Sequence, residues 1–277
     1  MTASQSGPVG AAAPSASVLV TIEGAVATLV LNRPDRLNAL DLPLWRALGE
    51  AVAALAGRLA EGEDLRCLVL RGAGGRAFAA GADIGEFATL RATAAQAQDY
   101  DRVMRRALDG VRAFPVPVIA AIEGACVGAG LELACMADLR LSNASGRFGV
   151  PINRIGVVMA YPEIGGLLRL AGPANTLEIL LEGRVFSADE ALRMGLVNRV
   201  VADGAFAAHL DETVSRLVRA APGVNASHKA FVTRLLAEGP PPDAAEMAEC
   251  YRFLETEDYR EGVAAFLAKR PPVFKGR

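Results

Sequence analysis

Phe78-Ala79-Ala80-Gly81-Ala82-Asp83-Ile84 and, about forty residues later, Ile122-Glu123-Gly124-Ala125-Cys126-Val127-Gly128-Ala129-Gly130-Leu131-Glu132-Leu133 decide how this chain is read. The first lies in a Gly-rich loop, Gly72–Gly81 and its sequel, that follows the buried-type strand Leu65–Leu70. The second runs from the end of another such strand, Val116–Ile122, through Gly124–Gly130 into a helix expected to begin near Leu131. Both put small residues where backbone must come close to something. A helix start also offers unpaired N–H groups and the positive end of a dipole. Two such N–H groups converging on one point form an oxyanion hole.

The neighbouring segments supply the frame. Val18–Ile22 and Val26–Leu31 are β-rich runs joined at Glu23-Gly24, the pattern of a hairpin. Asp41 then caps a helix whose Trp45, Leu48, Val52, Leu55 and Leu59 recur at three- and four-residue spacing. Ala94–Phe114 reads as a helix with Val103, Ala107 and Val111 on one face, opened by the capping box Thr93-x-x-Gln96. Further strands are expected at Leu139–Ser142 and Val197–Val201, and Ser187-x-x-Glu190 caps a short helix that Gly195 ends. From Ala205 onward the pattern is helical, with Phe206, Leu210, Val214 and Leu217 or Val218 sharing a face, and Gly239–Pro242 punctuating it. A ββα unit recurs without a fixed-period repeat. The expected organisation is an unstructured tail over 1–17, an α/β core over 18–203 and a C-terminal helical module over 204–277.

Composition narrows the function. The chain has 277 residues, 52% of them hydrophobic, and a formal net charge of -2, enough for a substantial core and no footprint for nucleic acid or anionic lipid. Met1 to Ser17 is Ala-, Ser-, Gly- and Pro-rich without a charged side chain, unlike a signal or transit peptide. The apolar window Val116–Leu139 contains Glu123, Glu132 and Asp138 and is broken by glycines, so it is buried strand and helix rather than a membrane span. Cys67, Cys126, Cys135 and Cys250 form no CxxC, which leaves no zinc ribbon or disulfide framework and suggests a reducing cytoplasm. His209 and His228 are the only histidines, too few for a His-based nucleophile or metal site.

FAAGADI followed by G-x-x-x-GAGLEL-x-x-x-AD resembles the paired motif of the crotonase (enoyl-CoA hydratase/isomerase) family. Leu31-Asn32-Arg33-Pro34, Leu37-Asn38-Ala39-Leu40, Ala188-x-Glu190-Ala191-x-x-x-Gly195-Leu196-Val197, Arg260-Glu261-Gly262 and Ala265-Phe266-x-x-Lys269-Arg270 match in the family's order. The resemblance runs from about Val18 to the C-terminus. It implies a spiral of ββα turns with C-terminal helices that build a trimer, often a pair of trimers. It also implies an acyl-CoA thioester substrate, CoA being part of that substrate rather than a cofactor, and a place in acyl-CoA or fatty acid metabolism.

By the same resemblance, the backbone N–H groups of Ala82 and Ala129 hold the thioester carbonyl, and polarising that carbonyl acidifies the α-carbon. The family often has Gly where Ala129 stands. Glu132 matches one of the family's two catalytic glutamates. Phe148-Gly149-Val150-Pro151 aligns so that Ile152 occupies the place of the second. Glu163, in the segment Gly156–Gly166, is the candidate substitute acid. Arg36 and the backbone of Ala82, Asp83, Ile84 and Gly85 are implied for CoA, with Asp83 shaping its loop; Phe266 and Lys269 resemble positions that reach the nucleotide from a neighbouring subunit.

Two other readings compete. Ile152 favours a homologue that binds acyl-CoA without turnover, and Glu132 opposes it. A dinucleotide-binding oxidoreductase would use Gly124–Gly130, but the spacing is G-x-x-x-G-x-G and no acid follows at the expected strand end. No G-x-S-x-G occurs, which excludes an α/β-hydrolase.

Overall fold

The computed structural model describes residues 16–237 and 239–277. The expected tail over 1–17 therefore lies, for residues 1–15, outside the described residues. The carbonyls of Ala16 and Ser17 accept hydrogen bonds from the side chain and backbone of Asn32 at 3.0 and 2.8 Å.

The expected hairpin forms: β1 (Val18–Glu23) pairs antiparallel with β2 (Val26–Leu31), and Gly24 supplies the left-handed turn residue. Helix α1 (Leu42–Ala60) follows, with the Asp41 carboxylate accepting from Leu44 N–H at 2.8 Å. After it the chain builds two sheets at once. β3 (Cys67–Gly72), β5 (Val118–Ile122), β7 (Leu139–Asn143) and β10 (Arg199–Val201) extend the hairpin into a six-stranded sheet ordered β1-β2-β3-β5-β7-β10. β4 (Ala77–Ala79), β6 (Ala125–Val127), β8 (Arg147–Gly149) and β9 (Phe186–Ser187) form a second sheet in that order. Each successive turn thus sends one strand to each sheet before its helix: β3-β4 then α2 (Phe87–Leu90) and α3 (Ala94–Arg112), β5-β6 then α4 (Ala129–Ala134), β7-β8 then α5 (Tyr161–Glu182). This is the expected ββα spiral.

The second sheet corrects the sequence reading. Gly72–Gly81 is not all loop, because β4 lies inside it, and Gly124–Gly130 likewise contains β6. Strands of three residues rich in Ala and Gly carry no periodicity, so only pairing across the sheet reveals them. α4 begins at Ala129, two residues before the expected Leu131, and the strand expected at Leu65–Leu70 runs from Cys67 to Gly72. Gly156–Gly166 shortens to a brief connection, since α5 starts at Tyr161. A kink at Gly172-Pro173, where Gly172 has φ 70°, divides α5 in two.

Apolar runs in the central strands reflect burial on both faces. Leu68, Leu70, Val118, Ala120 and Ile122 face the main core with α1 and α3. Cys67, Val69, Ile119, Ala121 and Leu141 point the other way, onto Phe206 and Leu210 of α7 (Phe206–Arg219). Both expected capping boxes form, Thr93 with Gln96 and Ser187 with Glu190 at α6 (Ala188–Arg193). The C-terminal helices are α7, α8 (Pro222–Leu236), α9 (Ala244–Glu249) and α10 (Glu257–Leu267). Among the described residues no helix is long and apolar enough to cross a membrane.

Candidate active site

β4 and β6 are parallel neighbours, with Ala77 opposite Ala125 and Ala79 opposite Cys126. Parallel strands end on the same side, so the segments leaving Ala79 and Val127 emerge together. Gly130 lets them close up: a Cβ there would stand 2.2 Å from the Ala79 carbonyl oxygen, so only glycine seats the first turn of α4 on the end of β4. Gly81 and Gly128 have φ of 118° and 51°, and a Cβ on Gly128 would meet the Gly81 Cα at 3.8 Å. The two glycine segments are therefore in contact.

A third segment aims the first of these. Leu40 N–H donates to the Gly81 carbonyl at 2.8 Å, and the Leu40 carbonyl accepts from Asp83 N–H at 3.0 Å. In this parallel bridge Leu40 bonds the residues flanking Ala82, so the N–H of Ala82 projects from the opposite edge. Ala129 opens α4, where an N–H has no intrahelical acceptor. Among the described residues neither N–H meets a protein acceptor, and both residues line one cavity of about 300 Å³. Asn38 holds the Leu37–Leu40 segment in place. It is fully buried, its side-chain amide donates to the Ala73 and Ala77 carbonyls at 3.0 and 2.8 Å, and its Oδ1 accepts from Arg33 N–H at 3.0 Å.

Glu132 and Glu163 line the same cavity. Glu132, in α4, is buried, and among the described residues nothing hydrogen-bonds to its carboxyl. Burial pushes that carboxyl up to about 8, with the charge of Glu163 adding and Arg91 and Arg105 opposing. Glu163 sits in the first turn of α5 and is also buried. Its Oε2 accepts from Arg105 Nη2 at 3.2 Å, while Oε1 lies 3.0 Å from the same nitrogen without an aligned N–H and has no hydrogen-bond partner. Burial raises this carboxyl too, against the Arg105 charge. Arg105 is itself held by Asp101, Nε to Oδ2 at 2.8 Å. Ile152 lines the cavity as an apolar wall.

The remaining predicted positions divide. Ile84 borders the cavity and is 52% exposed. Asp83 shapes its loop, accepting from Gly85 N–H at 3.2 Å and pairing with Arg33 at 3.1 Å; Gly85 is exposed beside it. Arg36 is exposed and outside the cavity lining; Arg33 is the cation tied into the loop, through Asp83, Asp41 at 3.0 Å and the Ala39 carbonyl at 2.6 Å. Phe266 is 83% exposed on α10 and Lys269 lies just beyond it, neither at this chain's cavity. Sequence reasoning placed Trp45 only on a helix's apolar face and passed over Arg91, Tyr100 and Arg105; all four line or adjoin the cavity. Only the Asp101–Arg105 spacing of four residues offered a signal, and it reads as an ordinary helix pair.

Comparisons with known proteins agree with this geometry. The description of the enoyl-CoA hydratase/isomerase family matches residues 21–277. A mevalonyl-coenzyme A hydratase of Beauveria bassiana is 37% identical over 265 residues, covering 90% of this chain and 91% of that protein. A probable enoyl-CoA hydratase of Rhodobacter capsulatus is 34% identical over 264 residues, covering 92% and 96%. The crystal structure of an enoyl-CoA hydratase/carnithine racemase from Magnetospirillum magneticum superposes with a TM-score of 0.90 at 58% identity, covering 94% of this chain and 96% of that one.

Proposed function

The chain belongs to the enoyl-CoA hydratase/isomerase (crotonase) family, and from that premise we propose that it is an acyl-CoA enzyme that adds water across an enoyl thioester or runs a closely related enolate reaction. The observation that carries this reading is the pair of unpartnered N–H groups, Ala82 and Ala129, in one cavity with a buried carboxyl. A thioester carbonyl placed between them accepts both hydrogen bonds, and negative charge developing on its oxygen is stabilised by roughly 3–4 kcal/mol per donor.

Hydration then needs a base for water and a proton for the α-carbon. The environments of Glu132 and Glu163 divide these tasks. Glu132, pushed up to about 8, holds a proton at neutral pH and donates it to the α-carbon. Glu163, kept next to the Arg105 guanidinium, is the carboxylate that we assign to take a proton from water. Glu163 thereby serves where Ile152 stands in place of an acid. The binding-only reading rests on Ile152 alone.

We assign the nucleotide end of CoA to the Ala82–Gly85 backbone and Arg36, with Phe266 and Lys269 supplied by a neighbouring subunit. We place the enzyme in the cytoplasm, in keeping with cysteines that are all free, three of them buried. The test is turnover of crotonyl-CoA, followed by loss of the conjugated thioester absorbance. Glu132→Gln and Glu163→Gln are each expected to lower kcat by about 100-fold or more, the worth of an acid–base group. Unchanged turnover in Glu163→Gln removes Glu163 from the mechanism.

A further inference from the structure

Arg91 closes α2 and lines the cavity that holds Glu132. Its guanidinium lies over two rings, 4.5 Å from the centroid of Phe87 and 5.1 Å from that of Tyr100. Stacking by its faces leaves the N–H edges free, the arrangement in which arginine takes a carboxylate with two parallel hydrogen bonds. Among the described residues Arg91 has no ion pair and no hydrogen-bond acceptor.

Of the acids nearby, Glu86, Asp101 and Glu163 are held by other partners, and Glu132 makes neither an ion pair nor a hydrogen bond with Arg91. Glu86 accepts from Leu42 N–H at 2.9 Å and from the Tyr100 hydroxyl at 3.2 Å through the same oxygen. Asp101 and Glu163 share Arg105, the cation that adjoins the cavity. Arg91 thus makes no direct ion pair in a cavity whose other wall is Ile152, Ile155, Val157, Val158 and Met159. A half-buried unpaired cation is unfavourable there and gives nothing to a plain hydrocarbon chain. Trp45 lines the same cavity, and its buried indole N–H also lacks an acceptor.

We propose that Arg91 is a specificity-determining residue that pairs with a carboxylate on the acyl chain, so that the preferred substrates are thioesters of CoA with dicarboxylic acids. The inference rests on the acyl-CoA reading above and refines it to a substrate class.

Titration calorimetry on the full chain tests it with glutaryl-CoA, valeryl-CoA and free CoA, none of which needs turnover. Glutaryl-CoA is expected to bind about 10- to 100-fold more tightly than valeryl-CoA, the worth of a charge-assisted hydrogen bond. That ratio should fall toward one in Arg91→Met and recover in part in Arg91→Lys. Equal affinity of the unmodified protein for the two thioesters overturns the proposal without recourse to any variant. So does an Arg91→Met chain that loses free CoA by the same factor as glutaryl-CoA, since Arg91 would then serve the nucleotide end. Failure of all three ligands to bind overturns the acyl-CoA reading itself, and this inference with it.

Discussion

Glu132 is a carboxyl placed where a carboxylate is disfavoured: it is buried, unpartnered among the described residues and faces a second acid. Two pH dependences follow. As the α-carbon's proton donor it must be protonated, so kcat/KM should fall as pH rises through about 8. A rise over the same range in a pH–rate profile would make Glu132 the base instead. Stability has its own sign. The folded value lies above the unfolded value of 4.5, so the folded state holds the proton more tightly. The resulting stabilisation is complete below pH 4.5 and is lost as pH rises toward about 8. Glu132→Gln has no such loss. Its advantage in denaturant unfolding should therefore widen between pH 5 and 8, by on the order of 2–4 kcal/mol. A gap that stays constant with pH would show that Glu132 ionises freely. Glu132 itself was legible in the sequence because it stands in a recognisable motif. Its electrostatic surroundings were not, since Glu163 and Arg105 come from α5 and α3, 58 residues apart along the chain.

Between elements, the contact that matters is α4 against the end of β4. Gly130→Ala removes the entropic cost of a helical glycine, worth about 1 kcal/mol. It also drives a methyl to within 2.2 Å of the Ala79 carbonyl oxygen, a backbone atom that cannot rotate aside. The clash outweighs the propensity gain, because overpacking a tight site costs about 1–3 kcal/mol. Relief requires α4 to move off β4, taking the Ala129 N–H with it. Gly130→Ala is therefore expected to lower kcat on crotonyl-CoA by about 100-fold, as losing one oxyanion donor does, with a lower Tm. Full activity at an unchanged Tm would mean that α4 is not seated as described. The helices α1, α3 and α6 were readable in advance because apolar spacing and capping residues are local signals. β4 and β6 were not, because three-residue strands of small side chains are specified only by the neighbours they pair with.

For the whole molecule, the C-terminal helices leave apolar surface uncovered. Val232, Leu235 and Leu236 on α8 are 57%, 68% and 59% exposed, and Phe266 and Leu267 on α10 are 83% and 76% exposed. Exposed apolar surface of this kind suits an interface, and we propose that it is covered in a trimer or a pair of trimers. Light scattering should give about three or six times the 28.9 kDa chain mass, and Leu267→Glu should shift the assembly toward single chains. A monomer at micromolar concentration would sink the assignment, together with a nucleotide contact from Phe266 and Lys269 across subunits. Taken alone, the amino-acid order sufficed for the fold class and the paired glycine segments, and through a family resemblance it pointed to Glu132 and to Ile152 in place of a second acid. These rest on local patterns and on motifs kept in order along the chain. The convergence of Ala82 with Ala129, the approach of Glu163 to the same cavity and the unpartnered state of Arg91 were settled only by three-dimensional packing. Each depends on which distant segments become neighbours, and burial and charge pairing exist only once they do.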